Sequence, residues 1–381
     1  MFLIAWFWSR AGVARVGWDP LGDPLFGDLL EDIPTLRLVH TSAFWSNPLT
    51  PPVAYPPFAA VLLGLTYASR FPATLYMLVG LGSLAIAAWL TRQALINNGV
   101  GSWSATLFPI TVAAVSFPIE GLLQRGNIEL FLWIFTAAGI WAFLRGHANL
   151  AAVLWALAAS VKLYPAIFFV LFFSRRRLGS AMLGVVSFVA ISTASMLYLG
   201  PSLRIALAGS LHNVFGYQGK RVGEWNMHEL AENHSFFTWV KTAAMVSGHS
   251  AAALTVPYYL CGAAVFALLI TRLRKRPVAN QLLGVSVFMV LLPPISYFYT
   301  LVHLYAPWLV LVMLAVRAAR AGMLIPGLHT TILLFLPLFA CFTLFTFKTY
   351  LIFGGLMQGA CLVALLICSA HFVFEEPQAA G

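Results

Sequence analysis

Charge is scarce in this chain: Asp, Glu, Lys and Arg make up 9% of its 381 residues, against 61% hydrophobic residues. A soluble domain of this length cannot bury that much apolar surface in one core, so the solvent for most of the chain is lipid. Cysteine is scarce too. Cys261, Cys341, Cys361 and Cys368 each sit inside an apolar run with no CxxC spacing and no clustered His or carboxylate, so neither a disulfide framework nor a structural zinc site organises the chain. Alternating polarity is missing from the apolar runs, such as 324–347 and 350–372, which excludes a β-barrel. The segment Met1 to Trp8 lacks a basic leader, a clean small-residue cleavage site and the length to cross a bilayer. It reads as a missing or shortened first span.

Long apolar runs are what the chain has in quantity. Residues 73–94, 103–119, 128–144, 179–199, 252–271, 279–296, 299–316, 324–347 and 350–372 are predicted spans, and 56–69, bracketed by Pro56, Pro57 and Pro72, is a short interfacial segment. The predicted fold is an all-α polytopic transmembrane helix bundle of about 9–11 membrane segments, one integral membrane domain over residues 1–381. A net charge of +10 raises the question of nucleic acid, but the cations fall in short clusters between spans and follow the positive-inside rule. Arg175-Arg176-Arg177, Arg272 to Arg276 and Arg317 to Arg320 therefore belong to the cytoplasm, and Arg92 and Arg145 join them. Residues 149–174 then begin and end on the cytoplasmic side, as a re-entrant hairpin turning at Lys162-Leu163-Tyr164-Pro165.

On the same count residues 9–55 and 200–250 are extracytoplasmic loops. Carboxylates gather there: Asp19, Asp23, Asp28, Glu31 and Asp32 in the first, Glu224, Glu229 and Glu232 in the second, with Glu120 and Glu129 at the loop between. Asp28 has two readings. It either caps a following helix, with Glu31 at the third helical position, or acts as a general base at the bilayer edge. Gln124-Arg125-Gly126-Asn127 either anchors two helices or binds a phosphate or sugar. Lys162, in the middle of an apolar hairpin, cannot easily reach water from either side and points to anion binding. The 200–250 loop interleaves aromatics with Asn233, His234 and other polar residues, as sugar-binding and interfacial surfaces both do. His228 and Glu232 have metal-pair spacing but no third ligand, so no metal site is expected and the need for a divalent ion is open.

The order of these elements carries a resemblance. An acidic outer loop, Asn47-Pro48, Tyr55-Pro56-Pro57, Gly126-Asn127, Lys162-Leu163-Tyr164-Pro165 before a basic cluster, and Asn233-His234-Ser235 together resemble glycosyltransferase family 87, over most of residues 25–310. That family consists of GT-C type membrane enzymes related to polyprenyl-phosphate-mannose-dependent α-mannosyltransferases. The resemblance implies inverting transfer of a sugar, mannose first, from a polyprenyl-phosphate donor to a hydroxyl of a glycolipid or glycan, with no cofactor, in the plasma membrane and on its extracytoplasmic side. It implies Asp28 as the base, with Asp32 one helical turn later as the alternative, since Leu29-Leu30-Glu31-Asp32 replaces the family's aspartate-aromatic pattern. Substrate would meet Tyr55, Gln124, Arg125, Asn127, Lys162, Asn233, His234, Tyr299 and His303. The last two stand where the family starts a late span with histidines. A secondary transporter or lipid flippase is the competing class; it favours acids and broken helices at mid-bilayer and repeated halves, and no internal repeat is evident. A non-catalytic envelope assembly factor is the third. The partners expected are lipids and lipid-linked sugars, not nucleic acid.

Overall fold

The computed structural model describes residues 25–31, 33–46, 54–223, 233–339 and 348–375, with backbone alone at 33, 218–223 and 348–353. Asp32, the stub Met1 to Trp8, Asn47-Pro48, Cys341, Glu224, His228, Glu229, Glu232 and Glu376 lie outside the described residues. The described residues are helical apart from turns, bends and short connections, with an isolated antiparallel bridge between Asn233 and Tyr297. The helices are α1 (Gly27–Glu31), α2 (Ile33–Leu36), α3 (Pro57–Tyr67), α4 (Pro72–Asn97), α5 (Ser102–Val115), α6 (Phe117–Arg125), α7 (Glu129–Leu144), α8 (Ala148–Val161) and α9 (Val170–Ser174). They continue as α10 (Leu178–Leu199), α11 (Leu203–Gly223), α12 (Phe236–Val246), α13 (Thr255–Leu273), α14 (Val278–Leu291), α15 (Tyr305–Arg320), α16 (Leu328–Leu333), α17 (Leu336–Phe339) and α18 (Lys348–His371). Among the described residues five helical stretches are long and apolar enough to cross a membrane: Pro72–Asn97, Leu178–Leu199, Ala251–Leu273, Phe298–Arg320 and Gly354–His371.

Burial sorts the helices into a centre and a wrap. Every residue from Ala279 to Leu291 in α14 is buried, and α8 hides Ala151, Ala152, Trp155, Ala156, Ala158 and Ala159 against its neighbours. Small alanines let helix backbones approach closely, which is how apolar helices associate when lipid is as apolar as their own side chains. At Gly139 of α7 an added Cβ would come within 2.3 Å of Trp155 Nε1, so that crossing admits no side chain. By contrast α4, α10 and α13 expose Leu78, Ile86, Trp89, Val186, Leu197, Leu260 and Leu268. A helix apolar on its outward face belongs in lipid.

Three predicted spans come out differently. The 103–119 run is divided: α5 stops at Val115, Ser116 turns extended and caps α6 by accepting from Ile119 N, and Pro118 occupies the first turn, where its missing N–H costs nothing. The 279–296 run stops at Leu291, ahead of Pro293-Pro294. The 324–347 run is two short helices as far as Phe339, because Pro337 has no N–H to carry one helix into the next. The interval 200–250, read as a loop, contains α11 and α12.

At Lys162 helix α8 ends in extended backbone (φ −143°, ψ 142°), and a 3-10 turn, Tyr164–Phe169, restarts around Pro165. The chain then doubles back: Trp155 stacks on Phe168 with ring centroids 4.9 Å apart and packs against Phe172 at 5.2 Å. These ring contacts pack the 3-10 turn and α9 against α8.

Candidate active site

The site is built where α6 ends and α7 begins. Helix α6 closes at Gly126, whose φ of +68° is open to glycine at little cost. An added Cβ there would meet Leu29 Cβ at 2.8 Å, so the glycine also lets α1 lie against the helix end. Phe26 N donates to Gln124 O at 2.6 Å and Phe26 packs edge-on against Tyr76, whose one hydroxyl proton is shared between Leu122 O and Asn127 O, each 2.9 Å away. Asp28 is thereby delivered to the end of α6. Arg125 reaches it through Nε to Oδ2 (3.2 Å) and Nη2 to Oδ1 (3.1 Å), a two-point charge-assisted pairing that fixes the plane of the carboxylate. Asn127 Nδ2 adds a third donor at 2.5 Å, while Asn127 Oδ1 accepts from Glu129 N at 2.9 Å, an Asx turn that starts α7. Because that oxygen is committed to a backbone N–H, the amide has one orientation, and it must donate to Asp28.

Behind this pair lies a second, drier one. Glu129 is fully buried and its two oxygens accept from three donors: Lys162 Nζ at 2.5 Å, His303 Nε2 at 2.8 Å, and the Tyr164 hydroxyl. Lys162 is 13% exposed, Arg125 19% and Asp28 26%, so the cluster grades from buried carboxylate to accessible carboxylate. His303 Nε2 donates to the carboxylate, and its Nδ1 has no hydrogen-bond partner among the described residues. Two aromatic rings join the tiers. Lys162 Nζ lies 5.0 Å from the Tyr55 ring centroid and 6.0 Å from that of Tyr299, and the Arg125 guanidinium carbon lies 5.6 Å from the same Tyr299 ring. Faces of tyrosine hold cations through the ring quadrupole. Segments around residues 28, 55, 125, 162 and 300 thus converge at one place, with two carboxylates and two cations.

Of the residues the sequence singled out, Asp28, Tyr55, Arg125, Asn127, Lys162, Tyr299 and His303 meet in this cluster, and Gln124 joins it through its backbone carbonyl. Asn233 and His234 pair with the segment that precedes Tyr299. Both are fully buried; Asn233 Nδ2 donates to Pro294 O, and its Oδ1 accepts from Ser235 N and Ser296 N. His234 Nε2 lies 3.0 Å from Ser296 Oγ and 3.2 Å from Thr300 Oγ1. They fasten the turn that carries Tyr299 and His303. Glu129 and Tyr164 are site residues that sequence reasoning missed. The signal for Glu129 is present in the sequence: a carboxylate opening an apolar helix needs a counter-ion, and Lys162 needs the same.

His234 lies outside the span-length helices, and burial holds its imidazole down to about 3. The ring is neutral in the fold but titrates near the ordinary ~6.5 once unfolded, so the unfolded chain binds the extra proton between those values. Its contribution to stability is complete above pH ~6.5 and is lost as pH falls toward 3, at up to about 1.4 kcal/mol per pH unit. Thermal unfolding in detergent should show a lower transition at pH 5 than at pH 7, and His234→Gln should flatten that dependence. An unchanged pH dependence in the variant would mean that other groups set it.

Fold and site together define a polytopic helical membrane protein with a charged, aromatic-lined cluster at the ends of its central helices. The model of glycosyltransferase family 87 matches residues 54–294, and the chain belongs to that family. A curated relative, the polyprenol-phosphate-mannose-dependent alpha-(1-2)-phosphatidylinositol pentamannoside mannosyltransferase of Mycobacterium tuberculosis, is 28% identical over 250 residues. The match covers 65% of this chain and 55% of the relative, so the chain spans about half the length of the curated relative it matches.

Proposed function

We propose that the protein transfers a sugar, mannose first among candidates, from a polyprenyl-phosphate donor to a hydroxyl of a glycolipid or glycan acceptor, with inversion at the transferred carbon. The reading is supported by the relative's printed donor and by one observation above all: an accessible carboxylate, Asp28, held by Arg125 and Asn127 within one cluster with the buried cation Lys162. Such a reaction needs both signs of charge. As the acceptor oxygen bonds to the sugar's anomeric carbon, the bond from that carbon to the phosphate oxygen breaks, the acceptor proton passes to Asp28, and the polyprenyl phosphate leaves with the electron pair. Proton acceptance by a placed base and preorganised cations facing the departing phosphate each lower the barrier to such a step. Lys162, Arg125 and His303 face the leaving group in this reading, and Tyr55, Tyr299, Gln124 and Asn127 line the sugar's position. Asn233 and His234 act on substrate through the turn they fasten.

The finer architecture belongs to the same proposal. The bundle is of the GT-C type with about 9–11 membrane segments. Residues 149–174 are a re-entrant hairpin whose tip brings Lys162 to the site, and such a break is tolerated inside a bilayer where it is buried in protein or lines a water-filled cavity. Residues 9–55 and 200–250 face the extracytoplasmic side, while Arg176 and Arg274 face the cytoplasm of a plasma-membrane protein.

Purified full-length protein in detergent, given radiolabelled polyprenyl-phospho-mannose and a phosphatidylinositol mannoside, should form a more heavily mannosylated lipid. Transfer from a nucleotide-linked mannose alone, with no lipid donor, would overturn the donor class. Orientation has its own test: on a background without native cysteines, a cysteine at 28 should react in intact cells with a membrane-impermeant thiol reagent and a cysteine at 274 should not. The reverse pattern would place the site on the cytoplasmic side.

A further inference from the structure

At the other end of α7 the bundle has a second charged feature, and it is of a different kind. Helix α7 runs 16 residues from Glu129 to Leu144, about 24 Å at 1.5 Å per residue. Just beyond it Gly146 O accepts from Arg177 Nη1 at 3.1 Å, which puts the Arg175-Arg176-Arg177 turn a helix length away from the carboxylates. There a cavity of about 480 Å³ is lined by Ser174, Arg175, Arg274, Lys275, Arg276 and Gln281, with Glu375 also on its wall. We propose that this cavity is a binding site for a phosphate-bearing anion, held by Arg175, Arg274, Lys275 and Arg276.

Three observations carry the proposal. First, four cations from two separate turns converge on one concavity against a single lining carboxylate, and among the described residues Arg175, Arg274 and Lys275 have no acidic partner within ion-pair distance. Positive-inside bias explains cations near helix ends, but it has no need of a shared cavity. Second, the floor is built from neutral, satisfied polar groups. Gln281 is 3% exposed; its Oε1 accepts from Ser174 Oγ at 2.8 Å and its Nε2 donates to Arg276 O at 2.8 Å. Arg276 in turn donates through Nη2 to Ala370 O at 3.0 Å, which ties the end of α18 into the wall. The turn bearing the cations is thus fixed before any ligand arrives, which lowers the ordering cost of binding. Third, the chemistry matches. Guanidinium groups pair with phosphate oxygens at two points, the cavity falls in the size range of small-ligand sites, and basic pockets at helix ends suit phospholipid headgroups.

A lipid headgroup and a soluble phosphate share this chemistry, and the test separates them. Full-length protein in a neutral detergent is titrated with short-chain phosphatidic acid, followed by native mass spectrometry and by the rise in thermal unfolding temperature. Wild type should bind, and Arg274→Gln should weaken binding about tenfold, the loss expected for one charge-assisted phosphate contact. Arg317→Gln, an equal change of charge outside the cavity, should bind as wild type does. If Arg274→Gln fails to fold, Lys275→Gln is read in its place. Displacement by inorganic pyrophosphate at concentrations similar to the lipid identifies a soluble ligand; resistance to it identifies a lipid headgroup. Equal weakening in Arg317→Gln, or none in the cavity variants, would overturn the site.

Discussion

Replacing Asp28 with Asn should lower sugar transfer by about 10²–10⁴-fold, the usual contribution of a general base, while the protein stays folded. The substitution is informative because Asn is nearly isosteric with Asp, and Asp28 lies within the first turn of α1 rather than at its N-cap, its oxygens accepting from Arg125 and Asn127. Asn keeps one acceptor for Arg125 but loses proton acceptance. Asp28 and Arg125 are both partly exposed, so losing the ion pair should cost stability only about 1 kcal/mol. Initial rates from a polyprenyl-phospho-mannose donor, beside thermal unfolding in the same detergent, separate the two effects. If the carboxylate is only structural, the Asp28→Asn variant should keep near-normal turnover. If Asp32→Asn loses activity where Asp28→Asn keeps it, the base lies one helical turn later.

The second large effect concerns the buried tier, and the structure makes it a test of coupling. In the proposed reaction, Lys162→Met removes a cation for the leaving phosphate. The geometry adds a cost, because Glu129 is fully buried and Lys162 is one of its three donors. Removing one partner of a buried pair strands the other charge, at about 3–5 kcal/mol. Lys162→Met should therefore lower both stability and activity, the latter by roughly 10²–10³-fold if Lys162 meets the developing phosphate charge. Glu129→Gln added to Lys162→Met should recover much of the stability, since no uncompensated carboxylate remains, but none of the activity. Thermal unfolding and transfer rates over the full double-mutant cycle give the coupling. Additive losses in stability would show that the two side chains are independent.

Much of this site is legible in the sequence because its chemistry is costly where it stands. A lysine in the middle of a long apolar stretch, and an Arg-Gly-Asn turn between two helices, are residues that lipid does not tolerate without a reason. Their meeting is not legible, since contact between residues 28, 125, 162 and 303 depends on how the helices pack, and apolar packing in lipid leaves little periodicity to read. Glu129 reads as one more outer-loop acid, although its place at the start of α7 makes it the natural counter-ion for Lys162. The helix break before Phe117 is hidden for a simpler reason. Hydropathy runs unbroken through Val115 and Phe117, and only the pairing of Ser116 with Pro118 marks a helix start. Asn233-His234 is recognisable as a motif, but sequence alone cannot tell a residue that touches ligand from one that fastens the turn beside it.

The central claim is that Asp28 and Lys162 serve opposite ends of one reaction, base on the acceptor side and cation on the phosphate side. A cryo-electron microscopy structure of the full-length protein with a non-hydrolysable polyprenyl-phospho-mannose analogue tests it most directly. The account expects the analogue's phosphate within hydrogen-bonding distance of Lys162 Nζ or Arg125, the sugar beside Tyr55 and Tyr299, and an Asp28 oxygen facing the anomeric carbon from the side opposite the phosphate. A phosphate seated away from both cations, or an Asp28 carboxylate on the same side as the phosphate, would contradict it.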